Sequence, residues 1–245
     1  MLTFTIITCT YNASEYVGRT MESVAGQTYP HVQHLIQDGA SSDDTLRIVG
    51  HYERAEVVSE KDGGLYDAMN RAIIRAKGDY IVFLNAGDKL YSPTTLEELA
   101  RKVKGYDSSS MPAVLYGDTN IVDERGKYIG PRHLLPPEKL SWRSFRNGML
   151  VCHQAFYVRT DIARQVPYDL RYRLSADVDW CIRVMKEAER QHLELLNTHL
   201  TLCDFLEGGM TKKNHRASLK ERFRVMVRHY GLLMTVYKHF TFLFR

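Results

Sequence analysis

Three groups of carboxylates stand where they could carry chemistry. Asp88 follows an almost continuous apolar strand, Asp38 follows an earlier strand, and Asp177 and Asp179 open a predicted helix. A carboxylate after a buried strand can hold Mg²⁺ or Mn²⁺, because these cations take oxygen ligands and bridge to phosphates. A turn former or helix cap is the alternative interpretation of Asp88.

Asp38 begins a loop, 38–45, that is rich in hydroxyl and acidic residues. One interpretation is a solvated turn, and the other is a hydrogen-bond acceptor for a base or a ribose, as in doubly wound nucleotide-binding folds. GxGxxG does not follow the first predicted strand and GxxxxGK[ST] is absent from the sequence. These absences argue against a dinucleotide-dependent enzyme and a P-loop NTPase.

Asp177 and Asp179 lie at the start of the helix predicted over 177–188. Acidic residues there complement the positive helix end, which is the structural interpretation. The alternative is a general base. Because residues i and i+2 of a helix do not face each other, we expect only one of the two to do chemistry.

Strands and helices alternate through the first half of the chain. Apolar strands are predicted over 4–8, 32–37, 56–59 and 80–84, and a periodic helix over 65–76 ends before Gly78. This alternation predicts an α/β fold with a doubly wound, mostly parallel sheet flanked by helices. The polar loops after strands one, two and four should open on the same edge, where such sheets bind ligands. The second half is less regular, with strands predicted near 113–116, 127–131, 155–159 and 193–205.

Composition places the chain among soluble globular proteins: 44% of its 245 residues are hydrophobic and 25% are charged. Neither a basic N-terminal leader nor a run of about 20 apolar residues is visible, so we expect a cytoplasmic protein without a transmembrane segment. The four cysteines, Cys9 among them, are too far apart for a zinc or CxxC motif and are predicted to be reduced, buried thiols.

Charge is divided unevenly along the chain. Residues 211–245 contain nine Lys or Arg and one acid, Glu221, whereas the whole protein carries +4. Apolar residues recur at helical spacing through this basic segment, and the chain ends in further apolar positions (Leu219, Phe223, Met226, Val227, Tyr230 and Met234, then Phe240, Phe242, Leu243 and Phe244). This pattern predicts a basic amphipathic helical tail that packs on the body, forms a dimer face or lies on an anionic membrane. Without a nucleic-acid-binding motif, nucleic acid is not expected as a partner.

Several segments, in this order and at these spacings, carry a family resemblance over roughly residues 3–210. They are Ile6-Ile7-Thr8-Cys9-Thr10-Tyr11-Asn12, the loop 38–45, Glu60-Lys61-Asp62-Gly63-Gly64-Leu65-Tyr66-Asp67-Ala68-Met69-Asn70, the run Gly78 to Asp88, the pair His153-Gln154, and Ser175-Ala176-Asp177. Together they resemble the inverting glycosyltransferases of family 2, which have the GT-A fold, and especially bacterial enzymes that build exopolysaccharide, capsule and O-antigen.

The resemblance implies a role for each matching residue. Asp177 falls at the position of the catalytic base, and Asp88 at that of the ligand for Mn²⁺ or Mg²⁺. The nucleotide would be bound by seven residues (Thr8, Thr10, Tyr11, Asn12, Asp38, Asn85 and Gly87), with Tyr11 stacking on the base. The donor or acceptor sugar would meet five others (Glu60, Asp62, His153, Gln154 and Asp179).

The resemblance also implies organisation and partners. A GT-A domain would span 1–210, with a nucleotide-binding half, 1–110, and an acceptor and catalytic half, 111–210, followed by the tail, 211–245. The enzyme would be of the hexosyltransferase type. The donor would be a nucleotide-diphospho-sugar, UDP-linked, and the acceptor a lipid-diphosphate-linked saccharide at the cytoplasmic face of the membrane.

The sequence departs from the family pattern at two places. Asn85 and Gly87 stand where acids are usual, which leaves Asp88 as the charged metal ligand of the motif. Met69 stands where Arg is frequent, so His153 or a basic residue of the tail would have to supply the missing cationic contact to phosphate. Two alternative functions follow. A non-catalytic, membrane-docked module that binds nucleotide sugars would explain the reduced acidic motif. A sugar-nucleotide nucleotidyltransferase would use a related sheet, although its first loop is typically Gly-rich and basic.

Overall fold

The computed structural model describes residues 1–107, 110–208 and 214–242. Gly209, Lys212 and Lys213, and the predicted apolar positions Leu243 and Phe244, lie outside the described residues, as does the side chain of Phe242.

The N-terminal half alternates strands and helices as the sequence predicts. Its elements are β1 (Phe4–Thr10), α1 (Val17–Ala25), β2 (Val32–Asp38), α2 (Thr45–Val49), β3 (Ala55–Ser59), α3 (Leu65–Arg75) and β4 (Tyr80–Phe83). The four strands are parallel and lie in the order β3-β2-β1-β4. Their carboxyl ends therefore lie at one edge of the sheet.

The second half adds five strands and five helices among the described residues. They are β5 (Lys89–Leu90), α4 (Thr95–Lys102), β6 (Val114–Val122), β7 (Tyr128–Pro131), β8 (Phe156–Arg159), α5 (Thr160–Gln165), α6 (Ala176–Arg190), β9 (Leu195–Leu206), α7 (His215–Tyr230) and α8 (Leu232–Phe242). Short 3₁₀ helices cover Trp142–Asn147 and His153–Ala155.

The sheet continues from β4 through β8, β6 and β9 to β5, with β7 paired to β6. β8 runs antiparallel to both β4 and β6, β6 and β9 are parallel, and β5 and β7 add antiparallel edges. The expectation of a mostly parallel sheet is therefore wrong for the second half, and the sheet is mixed. The long segment before β8 contains 3₁₀ turns but no α-helix, and an antiparallel strand needs no crossover helix.

The continuous apolar character of β4 follows from its position in the middle of the sheet. Side chains alternate between the faces of a strand. Tyr80 and Val82 pack beside α4, whereas Ile81 and Phe83 pack beside α3 and α6. Because helices cover both faces, the strand has no polar side.

The C-terminal helices differ in how they meet the body. In α7, Val225 and Met226 are buried, and the Tyr230 ring stacks on Trp142 with centroids 5.7 Å apart. In α8, by contrast, one side carries exposed apolar residues: Leu232, Leu233, Val236, Tyr237 and Phe240. Packing on the body thus accounts for part of the apolar stripe in α7, whereas these side chains of α8 are exposed. None of the described helices has the length and apolar content needed to cross a membrane.

Candidate active site

The loops after β1 and β2 are joined by hydrogen bonds, as expected for strands that end at one edge. The Thr10 hydroxyl donates to Asp38 Oδ1 at 2.8 Å. Asn12 has a positive φ of 48°, and its Oδ1 accepts the Ser42 N–H at 2.9 Å. Asn12 therefore acts here as a connector between the two loops.

Asp38 is fully buried, and its carboxylate accepts four hydrogen bonds from Thr10, Ser59 and the N–H and hydroxyl of Ser41. Burial would raise the pKa of Asp38, but the bonds from Ser41, Ser59 and Thr10 outweigh it and lower the pKa. The structure thus shows Asp38 as an ionised centre of three loops. In this conformation its oxygens face protein donors and not the open edge expected for contact with a base.

Thr8, predicted to bind the nucleotide, lies deeper in the sheet. Its side chain is fully buried, with Oγ1 3.1 Å from His34 Nε2. A two-residue step along a strand is about 6.6 Å, so Thr8 points to the same face as Thr10 but lies below the edge. The structure does not bring Thr8 to the site.

Tyr11 and Asp62 converge on Gly39 after β2. A Cβ at Gly39 would lie 3.4 Å from Tyr11 Cδ2 and 2.8 Å from Asp62 Oδ2, so only glycine allows this close approach. Tyr11 is 69% exposed. Its ring is therefore available to stack on a nucleotide base beside Gly39.

Two carboxylates hold the Gly63-Gly64 loop at the start of α3. Asp62 accepts the Gly64 N–H at 2.8 Å, and Asp67 accepts the Gly63 N–H at 2.9 Å. Gly64 has a φ of 115°, a conformation that favours glycine. The sequence's Gly-Gly pair is thus a requirement of the loop that positions Asp62.

A cation overlooked by the sequence argument lies beside this loop. Arg71 forms ion pairs with Glu60 at 3.0 Å and with Asp67 at 2.9 Å. Met69, which occupies the position where relatives often have Arg, is buried in the core. Arg71 lies two residues further along α3, and its basic character next to the motif was the available signal.

Asp88 is buried beneath the end of β9. Its Oδ2 accepts the Gln154 amide at 2.9 Å, and its Oδ1 accepts the Leu206 N–H at 2.9 Å. Burial raises the pKa of Asp88 to about 7, against the opposing effect of these hydrogen bonds. Gln154, predicted to meet a sugar, instead holds Asp88 and is itself 3% exposed.

The turn 85–88 has a donor set that fits a divalent cation in chemistry, although the described residues contain no group of three or more His, Cys, Asp or Glu. Asn85 Oδ1 is buried without a hydrogen-bond partner, and Asp88 supplies a carboxylate. Both are hard oxygen donors of the kind Mg²⁺ and Mn²⁺ prefer.

Gly87 cannot carry the acid that the family pattern usually places there. Its φ is 101°, its N–H donates to Thr20 at 2.9 Å, and an added Cβ would lie 2.6 Å from Leu206 Cδ2. Leu206 thus fills the space of a side chain at position 87. The reduced acidic motif is therefore matched by the packing around it.

Asp177 lies half-buried in the first turn of α6. The Tyr66 hydroxyl donates to Asp177 Oδ1 at 3.3 Å, and the Tyr66 ring stacks on Tyr168 at 5.4 Å. Burial, and secondarily the Asp177 charge, raises the pKa of Tyr66, so its hydroxyl keeps the proton it donates. The sequence pattern did not single out Tyr66 as a site residue, although Tyr66 lies in the motif, directly before Asp67.

His153 does not supply the missing cation in this structure. It is 6% exposed, stacks on Phe83 at 5.2 Å, and its Nε2 lies 2.6 Å from the Tyr168 hydroxyl. Burial lowers the pKa of His153 to about 4, so the ring is neutral. A chain of direct contacts nevertheless connects the two candidate carboxylates through neighbouring residues: Asp88, Gln154, His153, Tyr168, Tyr66 and Asp177.

Asp179, predicted to meet a sugar, faces away from the site. It is fully buried and accepts hydrogen bonds from Arg183 Nε at 2.6 Å and His229 Nε2 at 2.8 Å. Burial would raise its pKa, but His229 and Arg183 lower it and keep Asp179 ionised. The two acids at the start of α6 thus face different neighbours, and only Asp177 reaches the edge.

A cavity of about 900 Å³ lies where β4 begins and is lined in part by Lys77, Asp79 and Arg164. This is the opposite edge of the sheet from the residues above. The carboxyl ends of the strands, where α/β sheets bind ligands, are therefore the better candidate site.

A parallel half with ligand-facing loops, joined to a mixed half that carries a candidate base, is the architecture of a GT-A glycosyltransferase. Residues 5–166 match the family model described as Glycosyl transferase family 2. The chain belongs to that family, and the predicted family, fold and enzyme class are confirmed.

Known proteins similar to this chain agree with that assignment. A PGL/p-HBAD biosynthesis glycosyltransferase from Mycobacterium tuberculosis is 33% identical over 186 residues, which cover 74% of this chain and 68% of the relative. The S. aureus TarS fragment 1–349, solved with UDP-GlcNAc, superposes with a TM-score of 0.70 at 19% identity and covers 92% of this chain and 64% of its own. The mannosyltransferase PcManGT from Pyrobaculum calidifontis, solved with GDP-Man and Mn²⁺, gives 0.64 at 14% identity, with coverage of 93% and 64%.

Proposed function

We propose that this family 2 enzyme is an inverting transferase that moves a sugar from a UDP-linked donor to a lipid-diphosphate-linked saccharide in bacterial surface polysaccharide assembly. The observation that carries the proposal is that Asp177 accepts a hydrogen bond from Tyr66, which follows the Gly63-Gly64 loop at the edge that also holds Gly39 and the Asp88 turn. Asp179 and Asp38 are saturated by protein donors, so Asp177 is the available base.

The donor nucleotide would bind beside Gly39, with its base on the exposed Tyr11 ring near Asp62. The complexes of TarS with UDP-GlcNAc and of PcManGT with GDP-Man support a nucleotide-sugar donor in this fold. We assign uridine as the base. A titration with nucleoside diphosphates would distinguish uridine from guanosine.

The diphosphate would lie near the turn 85–88, where Asp88 and Asn85 would hold Mn²⁺ or Mg²⁺. When bound, the cation offsets the negative charge that develops on the leaving diphosphate. Asp88 must release its proton to act as a ligand, and Gln154 and the Leu206 N–H fix the direction of its carboxylate.

Asp177 would remove the proton of the acceptor hydroxyl as that oxygen attacks the anomeric carbon. The bond from the anomeric carbon to the diphosphate breaks as the new bond forms on the opposite face, so the configuration inverts. The nucleoside diphosphate leaves with the bonding electrons, and the proton remains on Asp177. General base catalysis of this kind contributes about 10²–10⁴-fold. Tyr66 would orient the Asp177 carboxylate by donating to Oδ1.

The lipid acceptor requires a location at the cytoplasmic face of a membrane, and α8 supports one. Its exposed apolar face adjoins a helix, α7, with exposed Arg216, Lys220, Arg224 and Arg228. An interfacial helix combines such features, and each basic residue near an anionic surface adds about 1 kcal/mol.

Flotation with liposomes containing anionic lipid tests the membrane proposal. Full-length protein should float, and the Leu233→Glu/Phe240→Glu variant should remain in the bottom fraction, with neutral liposomes as the control. Equal flotation of both proteins would remove α8 from the proposal. A dimer in sedimentation that the same variant dissociates would assign the face to a second copy instead.

Calorimetric titration with UDP and GDP, with and without Mn²⁺, tests the donor assignment. We expect Mn²⁺-dependent binding of UDP that is lost in Asp88→Ala. The Asp177→Asn variant should bind UDP normally and lose turnover. Normal turnover of Asp177→Asn would refute the base assignment, and binding without turnover in the wild type would favour the non-catalytic module. The family match leaves no observation in favour of a nucleotidyltransferase.

A further inference from the structure

Glu221, the one acid in residues 211–245, lies on α7 with its carboxylate against the backbone before α6. Glu221 Oε2 accepts the N–H of Leu174 at 2.7 Å and of Ser175 at 3.1 Å, and Oε1 accepts the N–H of Arg173 at 3.0 Å. These residues directly precede the helical turn that carries Asp177.

The start of α6 lacks a local cap. Ser175 is the N-cap residue but makes no side-chain cap hydrogen bond, and its hydroxyl lies 3.2 Å from the Ser218 carbonyl instead, as donor. Backbone N–H groups at a helix start need acceptors, and a negative charge there is favoured by the helix dipole. Glu221 accepts one of these, the N–H of the N-cap residue Ser175, from 46 residues away in sequence.

Further contacts, all C-terminal to Glu221, fix α7 to the body. His229 donates to buried Asp179 at 2.8 Å, Arg228 pairs with Asp169 at 2.7 Å, and Val225 and Met226 are buried between. At 1.5 Å per helical residue, Glu221 and His229 lie about 12 Å apart along α7. The helix α7 thus contacts α6 at two separate points: the backbone before the first turn of α6, and Asp179.

We propose that Glu221 is a positioning residue for Asp177: by holding the backbone of residues 173–175, it fixes the first turn of α6 so that the Asp177 carboxylate stays against Tyr66. Glu221 itself does not touch the substrate. The inference rests on the proposed role of Asp177 as base. It makes part of the basic tail a component of the catalytic machinery.

The test compares Glu221→Ala, Glu221→Gln and the control Glu189→Ala. Glu189 is a half-exposed acid near the other end of α6, paired with Arg143 and remote from residues 173–175. Turnover is measured as nucleoside diphosphate release from a panel of UDP- and GDP-sugars with water as acceptor, and donor affinity by UDP titration with Mn²⁺. Amide hydrogen exchange of residues 173–175 is measured alongside.

We expect Glu221→Ala to lower kcat about 10²-fold, because a displacement of the order of 1 Å can cost that much. Its UDP affinity should stay within twofold, since among the described residues α7 makes no hydrogen bond or ion pair with those proposed to bind the nucleotide. Exchange of the three amides should accelerate at least tenfold. Glu221→Gln keeps an acceptor oxygen and should restore most of kcat, and Glu189→Ala should behave as wild type.

Normal kcat in a folded Glu221→Ala variant would overturn the inference while leaving Asp177 as the base. If Glu221→Ala fails to fold, Glu221→Gln and the charge-reversing Glu221→Lys are compared instead. Unchanged exchange and kcat in Glu221→Gln, together with loss of both in Glu221→Lys, would support the positioning role. Unchanged exchange and kcat in Glu221→Lys would overturn it. Normal turnover by Asp177→Asn refutes the proposed function separately, whatever Glu221 does. Equal losses in kcat and UDP affinity would indicate a general structural role and also overturn the inference.

Discussion

The loop after β2 and the turn after β4 each bury a carboxylate, and the pKa values of the two carboxylates are shifted in opposite directions. Asp38 has four donors and a lowered pKa, whereas Asp88 has two donors and a pKa raised to about 7. Four donors thus oppose the effect of burial on Asp38, and two oppose it on Asp88. The well-satisfied acid organises loops, and the poorly satisfied one is left with capacity for a cation.

Replacing Asp88 by Asn should give the largest change in stability. The unfolded carboxyl titrates near 3.8 and the folded one near 7, so its contribution is fully present below about pH 4 and is lost as pH rises through 7. At about 1.4 kcal/mol per pKa unit, Asp88→Asn should gain up to about 4 kcal/mol over wild type above pH 7 and nothing at pH 4. Gln154 can turn its amide to present its oxygen to the new amide.

Urea unfolding of both proteins from pH 4 to pH 8.5 measures this difference, with Mn²⁺ absent. Asp88→Asn should at the same time lose Mn²⁺-dependent UDP binding. A stability difference that does not vary with pH would contradict the raised pKa and remove the contrast between the two carboxylates.

Removing the other carboxylate should have the reverse effect. Asp38→Ala leaves the donors on Thr10, Ser41 and Ser59 without their acceptor; the Thr10 hydroxyl is buried, and one unsatisfied buried group costs about 1–3 kcal/mol. We expect the free energy of unfolding at pH 7 to fall by about 1–3 kcal/mol. Chemical denaturation measures it, with Asp44→Ala as the matched control, since Asp44 pairs only with Arg47 at the surface. Equal effects of the two substitutions would show that Asp38 is not the centre of these loops.

These two acids show what sequence pattern can and cannot predict. The parallel half and the common edge of the loops after β1, β2 and β4 follow from local periodicity and from the rule that parallel strands end at one edge. The family resemblance, and not periodicity, assigns roles to Asp38, Asp88 and Asp177. The direction of β8, the depth of Thr8 and the partners of Asp179 do not, because they depend on residues far away in sequence. Glu221 illustrates this limit: its contacts with residues 173–175 cannot be read from any local pattern.

Restoring the family's acid at position 87 should weaken the protein. Gly87→Asp forces a side chain into a positive φ and against Leu206, and strain of this kind costs about 1–3 kcal/mol. Leu206→Ala should recover only the part caused by the clash when it is added to Gly87→Asp. Thermal unfolding of the two variants and of Leu206→Ala alone measures these terms. A Gly87→Asp protein as stable as wild type would show that Leu206 does not fill this position.

The pH dependence of cation affinity is the smallest of the expected effects. Because a bound cation must displace the Asp88 proton, the apparent Kd for Mn²⁺ should rise about tenfold for each pH unit below 7 and level off above it. Calorimetry at pH 6, 7 and 8 in the presence of UDP measures this. A constant Kd across the range would place the cation elsewhere than on Asp88.

The contacts between α7 and α6 limit which segments can be exchanged between relatives. The family model ends at residue 166, before α6 begins, yet the backbone that presents Asp177 depends on a helix that starts at His215. A chimera that exchanges only residues 5–166 would therefore keep α6 and α7 from one parent and take Tyr66, the partner of Asp177, from the other. A chimera that also exchanges α6 must exchange α7 with it, because the carboxylate of Glu221 on α7 holds the backbone before α6.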